Sequence, residues 1–176
     1  MGEHLVIRLP RAAAEPGAEW VVVDDLGASL QPVARGALAE AAPAAAGRRT
    51  WVLAPATSVL SVRVELPVKG TGRLAQALPF ALEDQLADDV DELLFAAGAR
   101  GPDGRVAASV VAHSVMAGWQ SALAEAGIAA SVLQSEADAL ADVPNTATVL
   151  VEGDQVMLRI PGGEVAVAEP DAIAPL

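Results

Sequence analysis

The stretch VRVELPVKGTGRLAQALPFALEDQLADD, residues 62–89, decides the fold class. Val62, Val64 and Leu66 alternate with Arg63 and Glu65, a period of two that predicts a strand over 59–66 with one face in water. Pro67-Val68-Lys69-Gly70 ends it. Leu74, Leu78, Leu82 and Leu86 then recur at every fourth position, with Ala75, Ala81 and Gln85 beside them. That spacing predicts an amphipathic helix over 71–89. Pro79 inside it predicts a kink, or a restart with Pro79 in a first turn. A strand followed by a helix that covers it is the start of an α/β unit.

The flanking sequence extends this pattern. Leu93–Ala99 and Arg105–Ala112 read as strands joined by Gly101-Pro102-Asp103-Gly104, whose residues suit a tight hairpin. Ser114 is placed to cap a helix through Ala126, with Val115, Met116, Trp119 and Leu123 as its buried stripe and Gly127 as its stop. Ile128–Gln134 reads as a strand and Ser135–Leu140 as a short helix. Toward the N-terminus, Leu5–Leu9, Trp20–Val23 and Thr50–Leu53 are strands, Arg11–Glu19 is a loop, and Asp25-Leu26-Gly27 is a turn. Val33–Ala46 reads as a helix interrupted near Pro43 and closed by Gly47-Arg48-Arg49. Last, Thr148–Glu152, Gln155–Ile160 and Glu164–Ala168 form a meander linked by Gly153-Asp154 and Pro161-Gly162-Gly163. The expectation is an α/β subdomain or subdomains over 1–145 and, over 146–176, a meander opening a second, incomplete one. The chain reads as part of something longer.

Composition narrows the function. The 176 residues carry 11 basic and 23 acidic side chains, a formal charge of -12, so bulk attraction to nucleic acid is excluded. Basic protein surfaces are the expected partners. Apolar residues at 53% exclude general disorder. The absence of cysteine removes disulfides, thiol catalysis and thiolate metal sites. Alanine occurs 39 times, so Ala-rich runs are weak evidence for helix, and the core must rest on Val, Leu and Ile. The longest uncharged run, Val106–Ala124, is 19 residues, long enough for a membrane span, but its period changes midway and it reads better as strand then helix. No signal-peptide pattern opens the chain.

Few residues suggest chemistry. His4 and His113 fall at strand ends without zinc spacing. No nucleophile elbow or phosphate loop occurs. Asp25-Leu26-Gly27-Ala28-Ser29 could put a carboxylate on a metal and backbone N–H groups on phosphate, but it also reads as an ordinary strand-ending turn. The strongest charge feature is acidic: Glu83, Asp84, Asp88, Asp89, Asp91 and Glu92 lie within ten residues, with no basic residue among them. Three readings stay open: a solvated face, a docking surface for a basic partner, and a site for a divalent metal or acid–base work. On the 71–89 helix, Glu83, Asp84 and Asp88 would project away from the Leu stripe.

Several segments together resemble the cytoplasmic region of protein L of the type II secretion system. They are Val21-Val22-Val23-Asp24, Arg48-Arg49-Thr50-Trp51-Val52-Leu53-Ala54-Pro55, Val64 to Gly70, and above all Arg73 to Leu86 continuing into Asp91-Glu92-Leu93-Leu94-Phe95. The resemblance implies an actin-like (ribonuclease H-like) α/β fold of mixed sheets with flanking helices, in which a strand meander opens each half. It also implies a scaffold on the cytoplasmic face of the bacterial inner membrane. Such a scaffold recruits the secretion ATPase through that enzyme's N-terminal domain, contacts other platform proteins and self-associates. No cofactor or nucleic acid is expected. Active relatives of this fold carry an Asp-x-Gly-Thr/Ser loop in the first hairpin of each half. Here the first reads Ile7-Arg8-Leu9-Pro10 and the second Val151-Glu152-Gly153-Asp154-Gln155. The expectation is therefore a non-catalytic relative. The alternative is a nucleotide-binding or phosphotransfer enzyme of the actin-like superfamily using Asp25 or Glu152.

Overall fold

The computed structural model describes residues 2–11, 17–68, 70–161 and 165–170. In chain order the first half holds β1 (Glu3–Arg8), β2 (Ala18–Asp24), β3 (Ala34–Gly36), the single-turn α1 (Ala42–Ala45), β4 (Arg49–Ala54), β5 (Leu60–Val64) and α2 (Thr71–Leu82). The second half holds β6 (Leu93–Arg100), β7 (Val106–Ala112), α3 (His113–Glu125), β8 (Val132–Ser135), β9 (Thr148–Glu152), β10 (Gln155–Arg159) and β11 (Val165–Ala168). The chain forms two compact units. Residues 1–55 join 116–139 in one, and residues 56–115 join 140–176 in the other.

The first unit is a five-stranded sheet in the order β3-β2-β1-β4-β8. β1, β2 and β3 run as an antiparallel meander, and β4 and β8 then add in parallel with β1. A meander opening the unit is what the resemblance implied. β1 holds the centre because Leu5 and Ile7 point into the core while standing opposite Val22 and Trp20 on β2 and Thr50 and Val52 on β4. Val52, Val22, Leu123 and Ile128 pack around them. Gly127, at φ +70°, ends α3 in a Schellman motif, in which the Ile128 N–H donates to Leu123 C=O and the Gly127 N–H to Ala124 C=O. That turn brings Ile128 into the core beside Leu123.

In the second unit β5, β7 and β6 form an antiparallel sheet in that spatial order. The hairpin expected at Gly101–Gly104 is there, with Gly104 at φ +81°. The Leu stripe predicted from the sequence packs α2 on this sheet: Leu74, Leu78 and Leu82 are buried with Val64, Val106, Ala108 and Val110. Each of these Leu and Val side chains contributes roughly 1.5–3 kcal/mol of burial. The meander β11-β10-β9 belongs to the same unit, and Gly153, at φ +59°, supplies the two-residue turn between β9 and β10.

Five expectations need correction. The helix over 33–46 is not one helix: Ala34–Gly36 pairs with β2 as a strand, Leu38–Ala41 is a 3-10 turn, and α1 begins only at Ala42. Pro43 sits in the first turn of α1, where its missing N–H costs nothing, and it therefore marks a start. The helix over 71–89 stops at Leu82, running through Pro79 without restarting, and Glu83–Gln85 is a 3-10 turn. Pro79 leaves the Ala75 carbonyl without its usual donor, and the acids beyond repel one another, so continuing the helix gains little. Strand 128–134 shortens to β8, and the helix over 135–140 to a 3-10 turn at Ala137–Ala139. α3 starts at His113, so Ser114 lies inside it, and of the expected stripe only Leu123 is buried, with Val115, Met116 and Trp119 half-buried. The turn Pro161-Gly162-Gly163 and the loop Arg11–Glu19 lie largely outside the described residues.

Candidate partner-docking surface

The early end of α2 rearranges the acidic block. Glu83 and Asp84 stand on the 3-10 turn that follows the helix, Asp88 and Asp89 on the bend after Leu86, and Asp91 and Glu92 on a second 3-10 turn leading into β6. The block is therefore a turn–bend–turn segment and not a row on one helix face. All six acids are exposed. Among the described residues none of the six enters an ion pair. Asp89 differs from the rest, because its Oδ1 accepts the Asp91 N–H at 3.0 Å and so caps the second turn. Asp88, Asp91 and Glu92 border an open depression of about 550 Å³ with Leu93, Ala112, His113 and Ser114. Glu83 and Asp84 stand apart from it. No three His, Asp or Glu side chains among the described residues gather closely enough to hold a metal ion.

Phe80 adds an apolar element that the sequence reading passed over. It lies on α2 opposite the buried Leu stripe, is 81% exposed, and precedes Glu83 and Asp84 by three and four residues. Its position two residues from both Leu78 and Leu82 was the available signal, since that offset turns a side chain away from the stripe.

The candidate enzymatic positions are occupied by internal contacts. Asp25 accepts the Gly2 N–H at 2.6 Å and the His4 ring Nε2 at 3.1 Å. Gly2, and then His4, hold its carboxyl below the usual carboxylate range. The N–H groups that would cradle a phosphate are taken too: Leu26 and Ala28 both donate to Asp24 Oδ1 at 2.9 Å, and Gly27 donates to the Asp24 carbonyl.

The carboxyl ends of the parallel strands β1, β4 and β8, where open α/β sheets hold ligands, carry an ion-pair chain instead. Arg8, the last residue of β1, donates through Nε to Glu136, which follows β8 and is only 4% exposed. Arg11 approaches the same carboxylate at 3.9 Å, while Arg8 also reaches Glu19 at 3.5 Å and Glu19 pairs with Arg35 at 2.5 Å. The Glu136 N–H donates to the Ala54 carbonyl at the end of β4, which fixes the carboxylate in place. Nothing in the sequence pairs residues 8 and 136 before the sheet order is known. In the second hairpin, Glu152 ends β9 and Asp154 is exposed on the turn.

The family model for protein L of the type II secretion system matches residues 5–174. The chain belongs to the type II secretion system protein L family. Protein L of Pectobacterium carotovorum subsp. carotovorum is 39% identical over 121 residues, which are 65% of this chain and 28% of that protein. Protein L of Pseudomonas aeruginosa PAO1 is 42% identical over 79 residues, 44% of this chain and 20% of that one. This chain thus spans roughly a quarter of the length of these protein L relatives. Among solved structures, the cytoplasmic domain of EpsL, an inner-membrane component of the type II secretion system of Vibrio cholerae, superposes with a TM-score of 0.80. That match has 22% identity and covers 99% of this chain and 74% of the other. The PilM–PilN type IV pilus biogenesis complex follows with a TM-score of 0.61 and 14% identity, covering 96% of this chain and 61% of the other. The fold of this protein L family member is the actin-like α/β fold, as the resemblance implied. No helix among its described residues is long and apolar enough to cross a membrane.

Proposed function

We propose that this chain is a non-catalytic scaffold of the type II secretion inner-membrane platform. It works at the cytoplasmic face by recruiting the secretion ATPase through the N-terminal domain of that enzyme. It contacts other platform proteins and a second copy of itself, and it uses no cofactor. The strands of residues 146–176, which share a compact unit with residues 56–115, open the second half of this fold. The docking surface is Glu83, Asp84, Asp88, Asp91 and Glu92, with Asp89 shaping the turn that presents them. The observation that carries this reading is an exposed acidic surface that pairs with no cation among the described residues, set beside an exposed Phe80. Acids that the fold leaves unneutralised accelerate encounter with a basic surface, and a neighbouring aromatic supplies contact area once the partners meet. Support for binding over chemistry comes from the ends of β1 and β2, where Arg8–Glu136 and Asp25–Gly2 use the charges a phosphotransfer site would need.

Calorimetric titration with the N-terminal domain of the cognate ATPase at two salt concentrations tests the reading. Saturable binding that weakens as salt shortens the Debye length supports it. The triple change Glu83→Lys, Asp84→Lys and Asp88→Lys should weaken binding by about tenfold or more while the melting curve stays in place. Unchanged affinity would remove this surface from consideration. Stabilisation by ATP with magnesium would favour an enzyme instead.

A further inference from the structure

α2 carries two rows of side chains. Leu74, Leu78 and Leu82 form the buried one. Arg73, Gln76, Phe80 and Glu83 follow one another at spacings of three and four, so they form a second row on the opposite side, and all four are exposed. Glu83 stays in line because it keeps helical dihedrals, φ -47° and ψ -46°. The buried row is what a stable helix needs, and the exposed row is not. The first turn of a helix is its positive end and favours acids, yet it holds Arg73 and no acid. The carboxyl end favours cations, yet the last turn holds no basic residue and Glu83 and Asp84 stand there. Phe80 lies between these charges with 81% of its surface exposed. Among the described residues neither Arg73 nor Glu83 enters an ion pair. Helix stability alone selects the reverse charges and a polar residue at position 80. Local choices that work against their own element gather where a surface is used.

We propose that this row is the recognition face of α2, with Phe80 as its anchor and Arg73 as the residue that sets direction. The inference rests on the ATPase docking proposed above and names what that site recognises. The partner's surface is an apolar pocket with a basic group on one side and an acidic group on the other. A rise of about 1.5 Å per residue puts Glu83 about 5 Å along the helix axis from Phe80, and Arg73 about 10 Å the other way. A surface that is basic throughout would be repelled at Arg73, so the matching surface changes sign along this line. Only one direction of approach then satisfies both ends, and the reversed one sets like charges together. The ring carries the lasting affinity, because an aromatic seated in a pocket is fully desolvated, whereas exposed charges act mainly on the rate of encounter.

Rapid-mixing kinetics of this chain with the N-terminal domain of the cognate ATPase test the face. Phe80→Ala should raise the dissociation rate by about tenfold or more and leave the association rate and its salt dependence in place. Arg73→Glu should weaken docking by about fivefold or more. The same substitution should slightly raise the melting temperature, because an acid suits the first turn. A gain in stability with a loss in affinity is a pair of signs that a merely structural arginine would not give. Failure of the wild-type chain to bind overturns the docking reading and this inference together. Binding left unchanged by either substitution overturns the recognition face while the docking reading stands.

Discussion

β1 and β9 have the same topological place and similar cores of sequence, Leu5-Val6-Ile7 against Val149-Leu150-Val151, yet their burial is opposite. Leu5 and Ile7 have no exposed surface, whereas all three apolar residues of β9 are substantially exposed. The difference lies in the neighbours. β1 is flanked by β2 and β4 and covered by Leu123 and Ile128, while among the described residues β9 lies at one edge of its three-stranded sheet with β10 as its neighbour. Apolar residues on both faces of a strand specify a central position in a sheet, but they do not supply the strand that makes it central.

The sharpest way to break the comparison is to shorten equivalent side chains. Ile7→Ala should cost about 4 kcal/mol in chemical denaturation, through lost burial and an unfilled cavity. Leu150→Ala should cost under about 1 kcal/mol, because that side chain keeps much of its contact with water. Comparable costs would mean that the two strands are equally buried in solution. The charged residues near the two strand ends come next. Glu136→Ala leaves the Arg8 and Arg11 guanidinium groups facing an emptied, largely buried site and should cost about 3 kcal/mol by the same measurement. Glu152→Ala, at the end of β9, should stay within about 1 kcal/mol.

The smallest effect is read in the pH dependence. Asp25 joins the turn after β2 to the start of β1, and its carboxyl titrates below its unfolded value. A depressed carboxyl contributes stability that is present above the unfolded value, near about 4, and is lost as pH falls through the folded value. Melting temperatures of Asp25→Asn should therefore lie slightly below wild type near neutral pH and converge with it under acid conditions. A gap that persists at the lowest pH would assign the effect to packing.

Most of the fold is legible from local signals. The hairpins at 101–104 and 153–154 follow from turn residues, and α2 from the spacing of Leu74, Leu78 and Leu82. Where reading failed, the deciding term was either not local or masked by composition. Leu86 and Val90 continue the helical period past Leu82, so the period alone does not mark where Pro79 and the crowded acids make further helix unrewarding. The segment around Ala34–Gly36 is alanine-rich and reads as helix, but pairing with β2 prevails. The acidic surface was visible as charge, though its division into two turns with Asp89 as a cap was not. Arg8 and Glu136 meet only because β8 lies two strands from β1 in the sheet order.

The interrupted course of the first unit also governs how the chain is made. At about 5–20 residues per second, roughly 4–16 s separate the synthesis of Ala54 from that of Val132. During that interval β4 has been made but its second neighbour has not, and Arg8 has no Glu136 to meet. Residues 60–112, which hold a whole sheet and its covering helix, can close while the ribosome is still extending the chain. The nascent protein therefore carries an unfinished sheet edge for seconds.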